Sequence, residues 1–330
     1  MKRMAQNNAD TFRRKMNGLG TDRRPFLFVI DFLAERPLVY PLDEIDQRQL
    51  RFAFPDRRNV EETGVPLPYP LKLNKYPVDF AHYRRAFDTV MRHVHEGDSF
   101  LVNLTQPTPV SCNLDLEQLF TYSRARYKLW LRDRFTVFSP ETFVRIRDGK
   151  IYAYPMKGTI DSSLPDAAGI ILSDIKELSE HVTIVDLIRN DLSCFAERVE
   201  VKRFRYLEEL QTDQGKLLQV SSEICGQLPA DFHAHIGDIV AGMLPAGSIS
   251  GAPKPKTLDI IREAEGYERG YYTGIMGIFD GQALDSAVMI RFVEQQGKQL
   301  IYKSGGGITA RSKAESEYRE MIDKVYVPLA

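Results

Sequence analysis

The chain has 330 residues, 43% hydrophobic and 27% charged, a composition that suits one large or two modest globular domains and excludes a disordered chain. A net charge of −1 gives no electrostatic reason to bind nucleic acid or an acidic membrane, and the basic residues Lys2, Arg3, Arg13, Arg14 and Lys15 read as a solvated N-terminal end. Three widely spaced cysteines (Cys112, Cys194, Cys225) have neither zinc-ligand nor redox-motif spacing and no long apolar segment accompanies them, so free thiols in a cytoplasmic protein are expected.

In chain order, residues 1–24 are polar and read as poorly ordered, and Phe26–Ile30 is a short apolar strand. Pro66, Pro68, Pro70 and Pro77 keep residues 61–78 extended or looping. Phe80, Tyr83, Phe87, Val90, Met91 and Val94 then fall at helical spacing, with Gly97 as a stop. Phe100–Thr105 predicts a strand, Leu114–Arg126 a helix, and Phe135–Ser139, Thr142–Arg147 and Ile151–Tyr154 three strands, the last two joined by an Asp148-Gly149 hairpin turn. Residues 174–190 predict a helix, Val199–Phe204 and Leu217–Ile224 strands, and Phe232–Met243 and Thr257–Ala264 helices. Tyr272–Phe279, Ser286–Val293 and Gln299–Ser304 predict three further strands, closed by a helix over Ala314–Val325. Strands come in runs, with helices between runs and not after each strand, which argues an α+β fold with large antiparallel sheets and against a doubly wound parallel sheet.

Several groups of residues have chemical potential. Lys157, in Pro155-Met156-Lys157-Gly158-Thr159, reads as a turn lysine after a strand; apolar neighbours would strip its water and favour the neutral, nucleophilic amine, although a plain surface lysine has the same local sequence. Glu141, in Ser139-Pro140-Glu141, offers a carboxylic acid at a similar strand edge. Glu177 and Glu180, and again Glu317 and Glu320, lie three apart in predicted helices, so each pair shares a face and presents oxygen donors suited to Mg2+; a solvated acidic face gives the same pattern. Gly305-Gly306-Gly307 follows a strand and reads either as an anion-binding run of amides or as a flexible hairpin. Arg291, among Met289, Ile290 and Phe292, is a cation in an apolar strand, suited to a carboxylate or else facing solvent. The loop Pro245–Lys254 is rich in small residues but is not a Walker A loop.

Taken in order, Asn103-Leu104-Thr105, Ser139-Pro140-Glu141, Lys157-Gly158-Thr159, Glu180-His181 with Val185–Asp191, Ala246–Lys254, Tyr272-Thr273-Gly274, Ile290-Arg291, and Gly305–Thr309 with Glu317–Glu320 resemble the chorismate-utilising enzymes. That family includes the large components of anthranilate and aminodeoxychorismate synthases and the isochorismate and salicylate synthases. The resemblance runs from about Asp79 to Lys324, with 1–78 a short N-terminal segment integrated into the fold and 79–330 the chorismate-binding catalytic region. It implies large antiparallel β-sheets in a sandwich-like core with helices outside. It also implies Mg2+ held by Glu180 and Glu320 with Glu177 and Glu317 beside them. Substrate contacts would come from Thr159, Tyr272, Arg291, Gly305, Gly306, Gly307 and Lys324, with the Ser250–Lys254 loop as support.

Lys157 resembles the members that aminate chorismate at C4, where the lysine attacks ring C2 while Glu141 protonates the departing hydroxyl; members making anthranilate, isochorismate or salicylate usually carry Ala there. Water-using members have a base lysine near the strand that is Phe100-Leu101-Val102-Asn103 here, so ammonia is the expected nucleophile, supplied by a separate glutamine amidotransferase subunit. An anthranilate-forming member and an inactive chorismate-binding paralogue are the alternatives. Departures from the family pattern are Gln219 in place of His, Ile160 in place of Arg, Lys128-Leu129-Trp130-Leu131 in place of an Asn-Pro-Ala-Pro-Tyr run, and no Leu-Leu-Glu-Ser-type stretch, which carries tryptophan binding in longer relatives.

Overall fold

The computed structural model describes residues 2–61, 64–212 and 215–329. The elements begin α1 (Lys2–Thr21), β1 (Phe26–Ile30), β2 (Leu38–Pro41), β3 (Leu50–Ala53), β4 (Leu73–Lys75), α2 (Phe80–His95), β5 (Leu101–Cys112), α3 (Leu116–Tyr122), β6 (Tyr127–Leu131) and β7 (Phe135–Ser139). They continue β8 (Thr142–Arg147), β9 (Lys150–Ala153), β10 (Met156–Asp161), α4 (Ala167–Ser173), α5 (Ile175–Ser193), β11 (Glu197–Thr212), β12 (Gly215–Gln227) and α6 (Ile236–Gly242). The last are α7 (Gly247–Ser250), β13 (Gly251–Ala252), α8 (Lys254–Glu265), β14 (Ile275–Phe279), β15 (Leu284–Val288), β16 (Phe292–Gln296), β17 (Gln299–Ile308) and α9 (Ala314–Asp323). Two large antiparallel sheets with helices result, the fold class expected from the order of the runs. They belong to two compact units: the chain up to Glu44, Thr142–Ile249 and Thr273–Val288 form the first, and Ile45–Glu141, Ser250–Tyr272 and the chain from Met289 form the second.

The first unit carries a nine-stranded sheet in the order β10-β12-β9-β8-β15-β14-β1-β2, with β11 paired to β12. All five residues of β1 are buried, which its unbroken Phe-Leu-Phe-Val-Ile run requires. Asp148 and Gly149 both have positive φ, as the expected two-residue hairpin between β8 and β9 needs. The N-terminus corrects the reading of residues 1–24 as poorly ordered, because Lys2–Thr21 is helical. Phe12 and Met16, four apart, are buried, and Gly20 one turn on lies so close to the His233 carbonyl that a β-carbon would collide with it. Asn17 Oδ1 accepts from the Gly237 and Asp238 amides at the start of α6, so α1 caps that helix from outside. A polar composition concealed one apolar stripe.

The second unit carries an eight-stranded sheet in the order β13-β5-β17-β16-β7-β6-β3, with β4 on the edge of β5. Helix α2 is capped by the Asp79 side chain, which accepts from the His82 amide, and buries Tyr83, Phe87, Val90 and Val94, four of the six residues read as its apolar face. The expected helix over Leu114–Arg126 is shorter, because Ser123 bridges to Leu329 and the Arg124 amide bonds to the Pro328 carbonyl, which takes the chain out of helical conformation. The single strand expected over Ser286–Val293 is two strands, with Arg291 between them at φ 53°, a left-handed conformation that ends the pairing of one unit before that of the other begins. Gly305–Gly307 is not a turn: β17 runs through it, paired with Thr105, Leu104 and Asn103 of β5.

His93, in the last turn of α2, is nearly buried with Nδ1 2.6 Å from Asp98 Oδ2 and Nε2 3.0 Å from Glu263 Oε2 of α8. Those two hydrogen bonds raise its pKa, and they hold Asp98 and Glu263 below the usual carboxylate range. With both ring nitrogens engaged by carboxylates, the group is a helix-to-helix clamp and not a ligand set. A raised imidazolium pKa contributes stability that is complete below the unfolded value and is lost as pH climbs through the folded one; the carboxylates' share is lost as pH falls through their lowered values. His93→Gln is therefore expected to destabilise the protein at about pH 6 and to approach wild type near pH ~9. Urea midpoints of both proteins across that range check this, and a gap independent of pH would rule the ion clamp out.

Candidate active site

The first unit holds Lys157, Thr159, Glu177 and Glu180. Lys157 lies in β10, in a strand and not the turn expected, where the register against β12 shifts between Met156 and Thr159. This bulge re-aims the residues at its centre. The Lys157 side chain is one-fifth exposed (20%), and its ammonium stands 4.0 Å from Glu180 Oε2, so the apolar setting expected around it is in fact acidic. Glu180 itself is buried, and Glu177, one turn earlier on α5, reaches over Gly158. Gly158 has φ +82°, a backbone that favours glycine, and a β-carbon there would stand 3.0 Å from Glu177 Oε2, which the carboxylate would have to shift to relieve. Thr159 is exposed and pairs across the ladder with Gln219, the residue noted as a departure from the family pattern.

Beside Glu180, His181 is fully buried with Nε2 2.6 Å from Ser222 Oγ, which also accepts the Arg205 amide. Burial, assisted by the cations Arg205 and Lys157, pushes the His181 pKa down to about 4, so the ring is neutral near pH 7. A neutral imidazole fixed to a serine holds α5 against β12 without adding positive charge beside Lys157.

The second unit holds Glu141, Tyr272, Arg291, Gly305–Gly307, Glu317, Glu320 and Lys324. Three charged groups converge above Gly306: a β-carbon there would lie 3.4 Å from Glu317 Oε2, 3.5 Å from Glu320 Oε1 and 3.6 Å from Lys324 Nζ. Lys324 Nζ is 2.6 Å from Glu320 Oε1 and donates to the Gly305 carbonyl at 2.9 Å, tying the end of α9 to β17. The nearby Tyr83 hydroxyl is driven to high pKa by burial and then by Glu317 and Glu320. β16 pairs with β17 only as far as Lys303, so the glycine stretch has β5 alone as ladder partner. In an antiparallel strand, amides alternate between the two edges, so the open edge presents alternate glycine N–H groups and not all three.

Arg291 sits with its guanidinium 5.0 Å from the Tyr326 ring centre, and its Nε is buried without a hydrogen bond among the described residues. Tyr272 is buried against Phe292, and burial holds its hydroxyl protonated. Glu141 follows β7, with its amide donating to Ser139 Oγ. Beneath β5 lies a group that sequence reasoning passed over. Arg269 donates from Nη2 and Nε to Glu265 (2.6 and 2.9 Å) and from Nη2 to the Asn103 carbonyl, while Glu265 Oε1 accepts from the Thr105 amide and hydroxyl. The available signal was a Glu–Arg pair four apart, a pattern that normally marks a solvated helix face.

The chain belongs to the chorismate binding enzymes: that family matches residues 42–330. An uncharacterized PabA-like protein of Haemophilus influenzae is 51% identical over 326 residues, covering 99% of both chains. Component 1 of the aminodeoxychorismate synthase of Salmonella typhimurium is 34% identical over 259 residues, 74% of this chain and 56% of that enzyme. In fold, the menaquinone-specific isochorismate synthase of Escherichia coli is similar with TM-score 0.68 at 16% identity, over 97% of this chain and 81% of its own. Among the described residues, no helix is long and apolar enough to cross a membrane.

The Gly158 geometry makes a prediction. Gly158→Ala should cost about 1–3 kcal/mol through the left-handed backbone and the approach to Glu177. Adding Glu177→Ala should return only the steric part. Chemical denaturation of the three proteins measures this, and a Gly158→Ala protein as stable as wild type contradicts the assigned backbone.

Proposed function

We propose that this chain replaces the C4 hydroxyl of chorismate with an amino group, giving 4-amino-4-deoxychorismate, the reaction of an aminodeoxychorismate synthase component I on the way to p-aminobenzoate and folate. The observation that carries this reading is the Lys157 amine in β10, 4.0 Å from Glu180. An amine at this position suits covalent catalysis, which divides one difficult displacement into two easier ones.

In the first step Lys157, having released its ammonium proton to solvent, bonds through nitrogen to ring C2. The two ring double bonds shift from C1=C2 and C5=C6 to C1=C6 and C4=C5, and the C4–O bond breaks, with Glu141 supplying the proton that lets the hydroxyl leave as water. The double bonds return in the second step. Ammonia then bonds to C4, the C2–N bond breaks, and its electron pair returns to Lys157 as a neutral amine. The extra proton on the new C4 ammonium restores Glu141, so chorismate and ammonia become product and water. Arg291, whose Nε has no hydrogen bond among the described residues, and Tyr272 are assigned to the enolpyruvyl carboxylate. Glu177, Glu180, Glu317 and Glu320 are assigned to Mg2+; the Glu317 and Glu320 oxygens near Gly306 are carboxylate donors of the kind it takes, and Lys324, which holds Glu320 Oε1 in this structure, would yield that oxygen to the ion. When bound, Mg2+ would neutralise a substrate carboxylate. A separate glutamine amidotransferase is the proposed source of ammonia, in keeping with the two-component naming of the Salmonella relative.

Mass spectrometry of a reaction with chorismate, Mg2+ and ammonium salt is expected to show hydroxyl replaced by amine with the enolpyruvyl group retained. Anthranilate with free pyruvate would instead identify an anthranilate synthase. Lys157→Ala should lower the rate by at least about 10²-fold while thermal unfolding stays cooperative; near-normal turnover would remove the covalent mechanism. Glu320→Gln should raise the Mg2+ concentration needed for half-maximal rate, and an unchanged requirement would put the metal on other ligands.

A further inference from the structure

A cavity of about 690 Å³ lies in the second unit, and its lining includes none of the residues assigned to chorismate. Its walls are the hairpin after β3, the segment between α3 and β6, and Lys128 of β6. Among the described residues, the lining contains Arg57, Arg58, Arg124, Arg126 and Lys128 against one acid, Asp56. The volume falls within the ordinary range for small-molecule sites.

Lys128 is the unusual member. The residue is 2% exposed, yet Nζ meets no carboxylate among the described residues. It donates to two carbonyls, Phe120 and Ser123, each at 2.6 Å, and stands 4.7 Å from the Phe120 ring centre. An ammonium has three donors, so two carbonyls leave one unused. A buried charge without a counter-charge is costly, and burial alone pushes the Lys128 pKa down to about 7. Lys303, equally buried in the same unit, shows the usual remedy by pairing with Glu294.

The walls are held in place. Asn59 ties the hairpin base through its side chain to the Phe52 amide and the Leu50 carbonyl, and the Phe54 amide bonds to the Arg57 carbonyl. Across the cavity, the Gly64 amide bonds to the Thr121 carbonyl, and Arg124 Nε to the Gly64 carbonyl. Arginine forks fit carboxylate and phosphate oxygens, and several forks around one space suit more than one negative charge.

We propose that this cavity binds a small, multiply charged oxyanion, either a phosphate ester or a polycarboxylate, with Lys128 as the buried counter-charge and Arg57 and Arg124 as outer clamps. The site is independent of the amination chemistry. Isothermal titration calorimetry in metal-free buffer with pyrophosphate and with citrate tests it and separates the two sources. At least one of the two anions is expected to bind, and Arg57→Gln/Arg124→Gln should weaken that binding by about tenfold or more. Titrations at about pH 7.5 in buffers of different ionisation enthalpy should show proton uptake by wild type, because an anion favours the charged lysine, and none by Lys128→Met. The double arginine variant alters exposed side chains, so it remains informative if Lys128→Met fails to fold. No heat with either anion at millimolar concentration, affinity unchanged in the double variant, or binding without proton uptake by wild type would each overturn the proposal.

Discussion

The buried ion pair between Glu265 and Arg269 governs how the second unit presents its backbone. Both side chains are almost completely shielded (1% and 2% exposed), and between them they hold the Asn103 carbonyl and the Thr105 amide of β5. Removing one partner of such a pair leaves an uncompensated charge in low dielectric, a loss of about 3–5 kcal/mol. The pair therefore acts less as a net source of stability than as a fixed register mark on β5. Everything the glycine strand offers follows from that mark, because Gly305, Gly306 and Gly307 take their positions from Thr105, Leu104 and Asn103.

Each unit repeats one local scheme. A strand glycine lies beneath a carboxylate of a helical Glu-x-x-Glu pair, and a lysine meets one of the two carboxylates: Gly158 under Glu177 with Lys157 beside Glu180 in the first unit, Gly306 under Glu317 and Glu320 with Lys324 beside Glu320 in the second. The glycine removes the β-carbon that would hold the carboxylates away from the backbone, and the lysine moderates the repulsion between them. The two lysines differ in attachment. Lys324 pairs with Glu320 of the helix it ends and donates to the Gly305 carbonyl of β17, whereas Lys157 comes from a strand bulge toward a carboxylate on a separate helix.

Where a segment buries one regular face, its sequence was a good guide. β1, α2, α5, the β8–β9 hairpin and α9 follow from period and punctuation, because the apolar spacing there is also the packing pattern. The reading faltered where a long-range partner decides the conformation. α1 is ordered by the burial of Phe12 and Met16 and by Asn17, which holds amides more than two hundred positions away, and Gly305–Gly307 is strand because β5 lies alongside. Arg291 was legible as a cation in an apolar stretch, but its left-handed backbone, which ends one strand before the next starts, has no local signal. The acidic pairs were legible as helix faces; that Glu317 and Glu180 are buried, and that Lys157 faces Glu180 in place of an apolar wall, depends on packing that spacing does not encode.

The interleaving of the two units along the chain bears on how the protein is made. Each unit is assembled from three separate stretches, so neither core is covalently complete when an N-terminal half has left the ribosome. In the second unit β17 lies between β5 and β16, so β5 waits for a neighbour synthesised nearly two hundred residues later. A sheet dominated by such distant pairings has high contact order and folds slowly, with apolar edges exposed meanwhile. Nascent chains of this protein should therefore depend on chaperone shielding until the last strand emerges, and no single cut in the chain would separate the two units from each other with both intact.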